Sequence, residues 1–199
     1  MKKQVLVIHG GTTYPNYTDY IDSLKSIQLE LSDLLYRVDW KDNITADLGD
    51  EYEVLVPRMP NTTNAQYNEW RIWFEKITPF LRDDTVLVGH SLGGIFLAKY
   101  LSENTLNITI KAVILVAAPF RDLESEKLTN FNLQDTFSKL NGNIENTILI
   151  QSVDDPVVPF EHVNLYKDKL PSSRVVLLQN NGHFNQEHFP ELVSIIEEL

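Results

Sequence analysis

In the stretch LVGHSLGGIFLAKYL, residues 87–101, a single serine stands between glycines: Gly89, His90, Ser91, Leu92 and Gly93 form Gly-x-Ser-x-Gly. The run before it is apolar and β-branched, and the run after it has helical spacing. This predicts a tight strand-to-helix bend with the serine at its tip, where only small residues fit two positions either side. A hydroxyl presented in this way can act as a nucleophile, and the N–H of Leu92, first in the helix, would face a developing oxyanion on the favourable side of the helix dipole. Serine is a weak nucleophile until a base takes its proton, so the bend requires a histidine and an acid elsewhere. SVDDPVVPF places Asp154 and Asp155 after a later apolar run, and NNGHFN places His183 in a loop after the next one. The order Ser, Asp, His is the one such a bend requires. His183 would serve as general base and then general acid, with an aspartate fixing its tautomer. Asp155 is preferred because Pro156 biases it toward extended backbone. Asp154 is the alternative, better suited to bonding the amides of its own turn.

The other candidates follow from position. His9 ends the first apolar run in VIHGG, where Gly10 and Gly11 let the backbone pass close to the serine; an N–H from Gly11 or Thr12 would complete the oxyanion pair with Leu92. His90 is expected to pack beside the bend, and His162 and His188 to lie on the surface. Tyr14, Met59, Trp70 and Phe120, in or near loops that follow strands, are candidates for an apolar substrate wall. No His and carboxylate spacing matches a metal site and no glycine pattern matches a phosphate cradle, so neither a metal nor a cofactor is expected.

These residues must be positioned by the elements around them. Short apolar runs recur at 4–9, 52–57, 85–90, 111–117, 146–153 and 174–179, unalternating as strands buried on both faces should be. Helical patterns span 17–36, 64–81, 92–104 and 186–199; in the second, Tyr67, Trp70, Trp73 or Phe74, and Ile77 mark a core-facing stripe. Residues 37–51 read as an irregular connection with a short helical turn, and 132–140 as a short helix within the long connection 118–145. The alternation predicts one α/β domain over 1–199: a mostly parallel central sheet of about six strands with helices on both faces.

Composition narrows the function. A formal net charge of −11 over 199 residues argues against nucleic acid or an anionic membrane as partner. No apolar run approaches the roughly 18 residues of a membrane span, and no export signal is evident. The chain has no cysteine, which removes disulfides and thiolate chemistry and fits a cytoplasmic, reducing compartment. The Asn-x-Ser/Thr triplets read as chance. The oligomeric state is left open.

Taken together, VLVIHGG, PRMPNTTNAQYNEW, VGHSLGG, VILVAAPF, SVDDPVVP and NGHFN resemble the small α/β-hydrolases with little or no cap, of the retinoblastoma-binding-protein-nine type and their bacterial relatives. The resemblance spans nearly the whole chain and implies a serine hydrolase with Ser91, Asp155 (the aspartate before the proline) and His183 as its triad. The Leu-x-Cys-x-Glu motif behind the family's name is absent here, so that partner does not carry over. The expected substrate is a small ester, or an amide, cleaved through an acyl-enzyme. The alternatives are an inert interaction protein on the same scaffold, and lyase or perhydrolase chemistry at the same residues.

Overall fold

The structure, a computed structural model, describes residues 1–124, 126–133 and 144–199. Strands β1 (Lys3–Ile8), β2 (Tyr52–Leu55), β3 (Thr85–His90), β4 (Ile110–Val116), β5 (Ile144–Ser152) and β6 (Arg174–Leu178) form one parallel sheet in the order β2-β1-β3-β4-β5-β6. All six coincide with the apolar runs of the sequence. Successive residues of a strand point to opposite faces, and here both faces are covered. Leu6, Ile8, Leu87, Val113 and Leu115 pack under α3 (Tyr67–Ile77), α4 (Leu92–Glu103) and α5 (Glu161–Lys169). Val5, Val7, Val86, Val88 and Ile114 pack under α2 (Trp40–Leu48) and α6 (Pro190–Glu197). From β1 the chain first goes to β2 on one side and then returns to β3 on the other. The C-terminal ends of β1 and β3 therefore flank the crevice where open parallel sheets place their sites.

Several expectations need correction. The helix expected over 17–36 is α1 (Tyr17–Ser26), which ends where Ile27 turns extended, followed by a 3₁₀ turn at Leu31–Leu34. That turn restarts because the Asp33 carboxylate accepts the Glu30 N–H at 2.9 Å. Neither piece buries a residue, and Leu31, Leu34 and Leu35 stay exposed. The connection at 37–51 contains the full helix α2, begun by Asp39, whose carboxylate accepts the Lys41 N–H while its own N–H donates to Asp42. Trp40, Ile44 and Leu48, each one turn further on, seal it to the core. Helix α5 lies between the last two strands, in a stretch to which the sequence patterns assign no element. Of the helix expected at 132–140, residues 134–140 lie outside the described residues, and Asn132 and Leu133 are not helical. Among the described residues no helix is long and apolar enough to cross a membrane.

Candidate active site

The bend after β3 is built by close approach. A Cβ on Gly89 would lie 2.5 Å from the Gly93 carbonyl oxygen, and one on Gly93 within 2.5 Å of that of His9 and closer still to that of Ile8. Both positions therefore require glycine. Ser91 between them sits at φ 54° and ψ −121°, a conformation that costs a non-glycine residue roughly 1–3 kcal/mol and persists because its surroundings over-determine it. The Ser91 N–H donates to the Val116 carbonyl at 2.8 Å, and its own carbonyl accepts the Gly94 N–H at 2.9 Å.

The Ser91 hydroxyl lies 2.9 Å from Nε2 of His183, and Nδ1 of His183 lies 2.9 and 3.1 Å from the two oxygens of Asp155. The Asp155 side chain is fully buried. Its Oδ1 accepts the N–H groups of Val157 and Val158 at 2.8 and 3.0 Å, and its Oδ2 accepts Nε2–H of Gln151 at 3.2 Å. These donors fix the carboxylate's direction. With Nδ1–H given to Asp155, Nε2 is left unprotonated toward the hydroxyl, so the arrangement can move the Ser91 proton onto the imidazole. Asp154 is exposed and points elsewhere: it binds the Ser152 hydroxyl and accepts the Gly182 N–H at 3.4 Å, bracing the loop that carries His183. The Ser152 hydrogen bond is the main cause that holds its carboxyl below the usual range.

That loop is strained, with positive φ at Asn180, Gly182 and Phe184, and is tied down from beneath. His90 Nε2–H donates to the His183 carbonyl at 2.9 Å, and Trp40 Nε1–H to the Phe184 carbonyl at 2.9 Å. Burial holds His90 well below the ordinary histidine value, so its ring is neutral and acts as a strut. His9 is also a strut: Nδ1–H donates to the Gly10 carbonyl at 2.6 Å, and Nε2 accepts the Met59 N–H at 2.8 Å.

The N–H groups of Leu92 and Gly11 have no partner among the described residues, whereas Thr12 N–H is committed to the Thr62 carbonyl at 2.8 Å. Gly11, Ser91 and His183 open on one cleft of about 370 Å³, which Glu126, Val157 and Asn185 also line. The Glu126 carboxylate accepts the Thr13 N–H at 2.7 Å, and burial raises its pKa.

The four residues expected as an apolar wall do not line this cleft. Trp70 is wholly buried against Phe96 and Phe131, with Nε1–H on the Pro60 carbonyl. Met59 lines a neighbouring cleft, Tyr14 bonds Ser23, and Phe120 packs on Tyr166. His162, expected on the surface, is buried, because its Nδ1 accepts the Phe120 N–H at 2.9 Å. His188 is exposed and pairs with Asp47 at 3.0 Å. Sequence reasoning missed Trp40, Lys41 and Glu126. For the first two a signal existed in the Asp39/Asp42 cap and the Trp40, Ile44, Leu48 spacing; nothing local marks Glu126.

The sequence model of the serine hydrolase family matches residues 37–193. The YdeN protein of Bacillus subtilis (strain 168) is 25% identical over 155 residues, covering 76% of this chain and 81% of that protein. The crystal structure of the ydeN gene product from B. subtilis superposes with a TM-score of 0.74 at 22% identity, covering 99% of this chain and 98% of the other. A serine hydrolase from the polyaromatic-hydrocarbon-degrading bacterium Cycloclasticus zankles is similar at a TM-score of 0.66 and 11% identity, covering 100% and 89%. These structural likenesses establish the α/β-hydrolase fold.

Proposed function

Since the chain belongs to the serine hydrolase family, we propose that Ser91, His183 and Asp155 form its catalytic triad and cleave a small ester, or more slowly an amide, through an acyl-enzyme. The observation that carries this reading is the unbroken chain of hydrogen bonds from Asp155 through His183 to Ser91, each link about 3 Å or less at its shortest.

Ser91 Oγ attacks the scissile carbonyl carbon while its proton passes to Nε2 of His183. Charge moves onto the former carbonyl oxygen, which the N–H groups of Leu92 and Gly11 receive. Both belong to rigid backbone and need no reorganisation when the charge develops. Asp155 stabilises the imidazolium at Nδ1. The imidazolium then gives its Nε2 proton to the departing alkoxide or amine, leaving the acyl group on Ser91. Water deprotonated by the same nitrogen attacks the acyl carbon, and the carboxylic acid leaves with Ser91 restored. The four protein donors on Asp155 orient its carboxylate and, through it, the imidazole.

The test is pre-steady-state turnover of short 4-nitrophenyl acyl esters. A burst of nitrophenol equal to the enzyme concentration, with an acyl adduct on the Ser91 peptide by mass, is expected. Turnover with an unchanged rate in Ser91→Ala would overturn the assignment.

A further inference from the structure

Beside the Ser91 cleft lies a second one of about 590 Å³, and the two share His9, Gly10, Asp39 and Lys41 as common wall. Its lining includes Arg58, from the Arg-Met-Pro stretch that the triad chemistry leaves unused. The sheet order explains the adjacency. β1 lies between β2 and β3, so the loop after β2, with Arg58, stands about 10 Å from the bend after β3, two strand spacings away.

The charges around this second cleft are unequally committed. Asp39 is tied to the Lys41 ammonium at 2.8 Å and to the Lys41 N–H, and Asp42 accepts the Asp39 N–H. Both carboxylates therefore serve the start of α2. Lys41 is held in place, with little of its side chain exposed and its ammonium 4.8 Å from the Trp40 ring centre. Arg58 has neither an ion pair nor a hydrogen bond among the described residues. His9, on the common wall, senses the balance: burial is the main cause of its lowered pKa, and among the nearby charges Lys41 and Arg58 lower it further while Asp39 opposes them more weakly. The two cations and two carboxylates that line the cleft cancel formally, and Arg58 is the one of the four without a partner among the described residues.

We propose that this cleft is an anion subsite, in which the Arg58 guanidinium receives a carboxylate carried a short chain away from the scissile carbonyl. The planar fork of arginine matches a carboxylate with two parallel hydrogen bonds, which fixes the substrate's orientation as well as its charge. The proposal rests on the acyl-transfer reading of Ser91 and narrows its substrate class to anionic esters such as half-esters of dicarboxylic acids.

Two measurements separate this proposal from that reading. The first compares kcat/KM for mono-4-nitrophenyl glutarate and for 4-nitrophenyl butyrate in the wild type, Arg58→Gln and Arg58→Lys. The glutarate-to-butyrate ratio should fall about tenfold or more in Arg58→Gln, as for the loss of a charge-assisted hydrogen bond, and be partly restored in Arg58→Lys. A ratio unchanged within about twofold, the scatter of a solvated surface charge, would overturn the subsite. The second is calorimetric binding of glutarate to Ser91→Ala, with and without Arg58→Gln. Binding that weakens about tenfold with Arg58→Gln supports the subsite whatever the chemistry of Ser91. No binding, or equal binding to both proteins, overturns it. If glutarate binds through Arg58 while the wild type hydrolyses neither ester, the hydrolase reading fails and the subsite stands.

Discussion

Asp155→Asn isolates the role of the buried carboxylate, and its effect can be worked from the hydrogen bonds. Asp155 accepts Val157 N–H and Val158 N–H on Oδ1, and Gln151 Nε2–H and His183 Nδ1–H on Oδ2, and its side chain is fully buried. An asparagine of the same shape offers one acceptor oxygen and one donor NH₂. Turning NH₂ toward Val157 and Val158 would set donor against two donors, so the oxygen stays there and NH₂ faces His183. Nδ1 must then accept, which places the imidazole proton on Nε2, where it can no longer take the Ser91 proton. A tautomer held wrong in this way lowers kcat by about 10⁴, or about 5 kcal/mol of transition-state stabilisation, with the fold retained. The assay is kcat on a short acyl ester beside a thermal melt. Asp154→Asn, whose side chain is exposed and braces only the loop, should lower kcat by less than about tenfold, the scale of one lost loop hydrogen bond. A loss below about tenfold in Asp155→Asn, or a larger loss in Asp154→Asn, would refute the tautomer argument.

Two further predictions concern stability. Trp40→Phe keeps one aromatic ring but removes the pyrrole half of the indole with its donor to the Phe184 carbonyl; it should cost about 1–3 kcal/mol in urea unfolding and loosen the His183 loop, and no change would mean that α2 does not hold that loop. Burial lowers the pKa of His90, His9 and His162, so below about pH 6.5 the unfolded chain binds more protons than the folded one, and stability should fall with acidification, by up to about 1.4 kcal/mol per pH unit for the fully buried His90 and by less for the other two. His188 acts oppositely: the Asp47 hydrogen bond raises it, so its contribution is present below its unfolded pKa and is lost as pH rises through the folded one. Urea midpoints from pH 5 to 8 for the wild type and His90→Gln check the sign, and a midpoint that rises on acidification would contradict it.

What the sequence made legible follows from how local each signal is. The bend at Gly89–Gly93 and the strands on either side are local, because backbone contact within a few residues demands the glycines and burial on both faces demands unbroken apolar runs. The placing of Asp155 and His183 after the last two strands was legible for the same reason. Helix α2 was obscured because Lys41, Asp42 and Asn43 make its window polar, and only three residues, one turn apart, carry its buried face. Trp70 carried two expectations, a core-facing stripe and a substrate wall, and only the stripe matches the structure, where Phe131 closes over the indole from a distant segment; His162 was misjudged because the Phe120 N–H draws the imidazole inside. Arg58 and Glu126 reach the clefts from separate connections, so their proximity to Ser91 exists only once the sheet order is known.

The most direct test of the central claim is covalent labelling by a fluorophosphonate, read by intact mass on the wild type, Ser91→Ala and His183→Ala. The account predicts a single adduct on the wild type, none on Ser91→Ala, and none or a much slower one on His183→Ala. A folded wild type that takes no label, or a label that persists in Ser91→Ala, would contradict it.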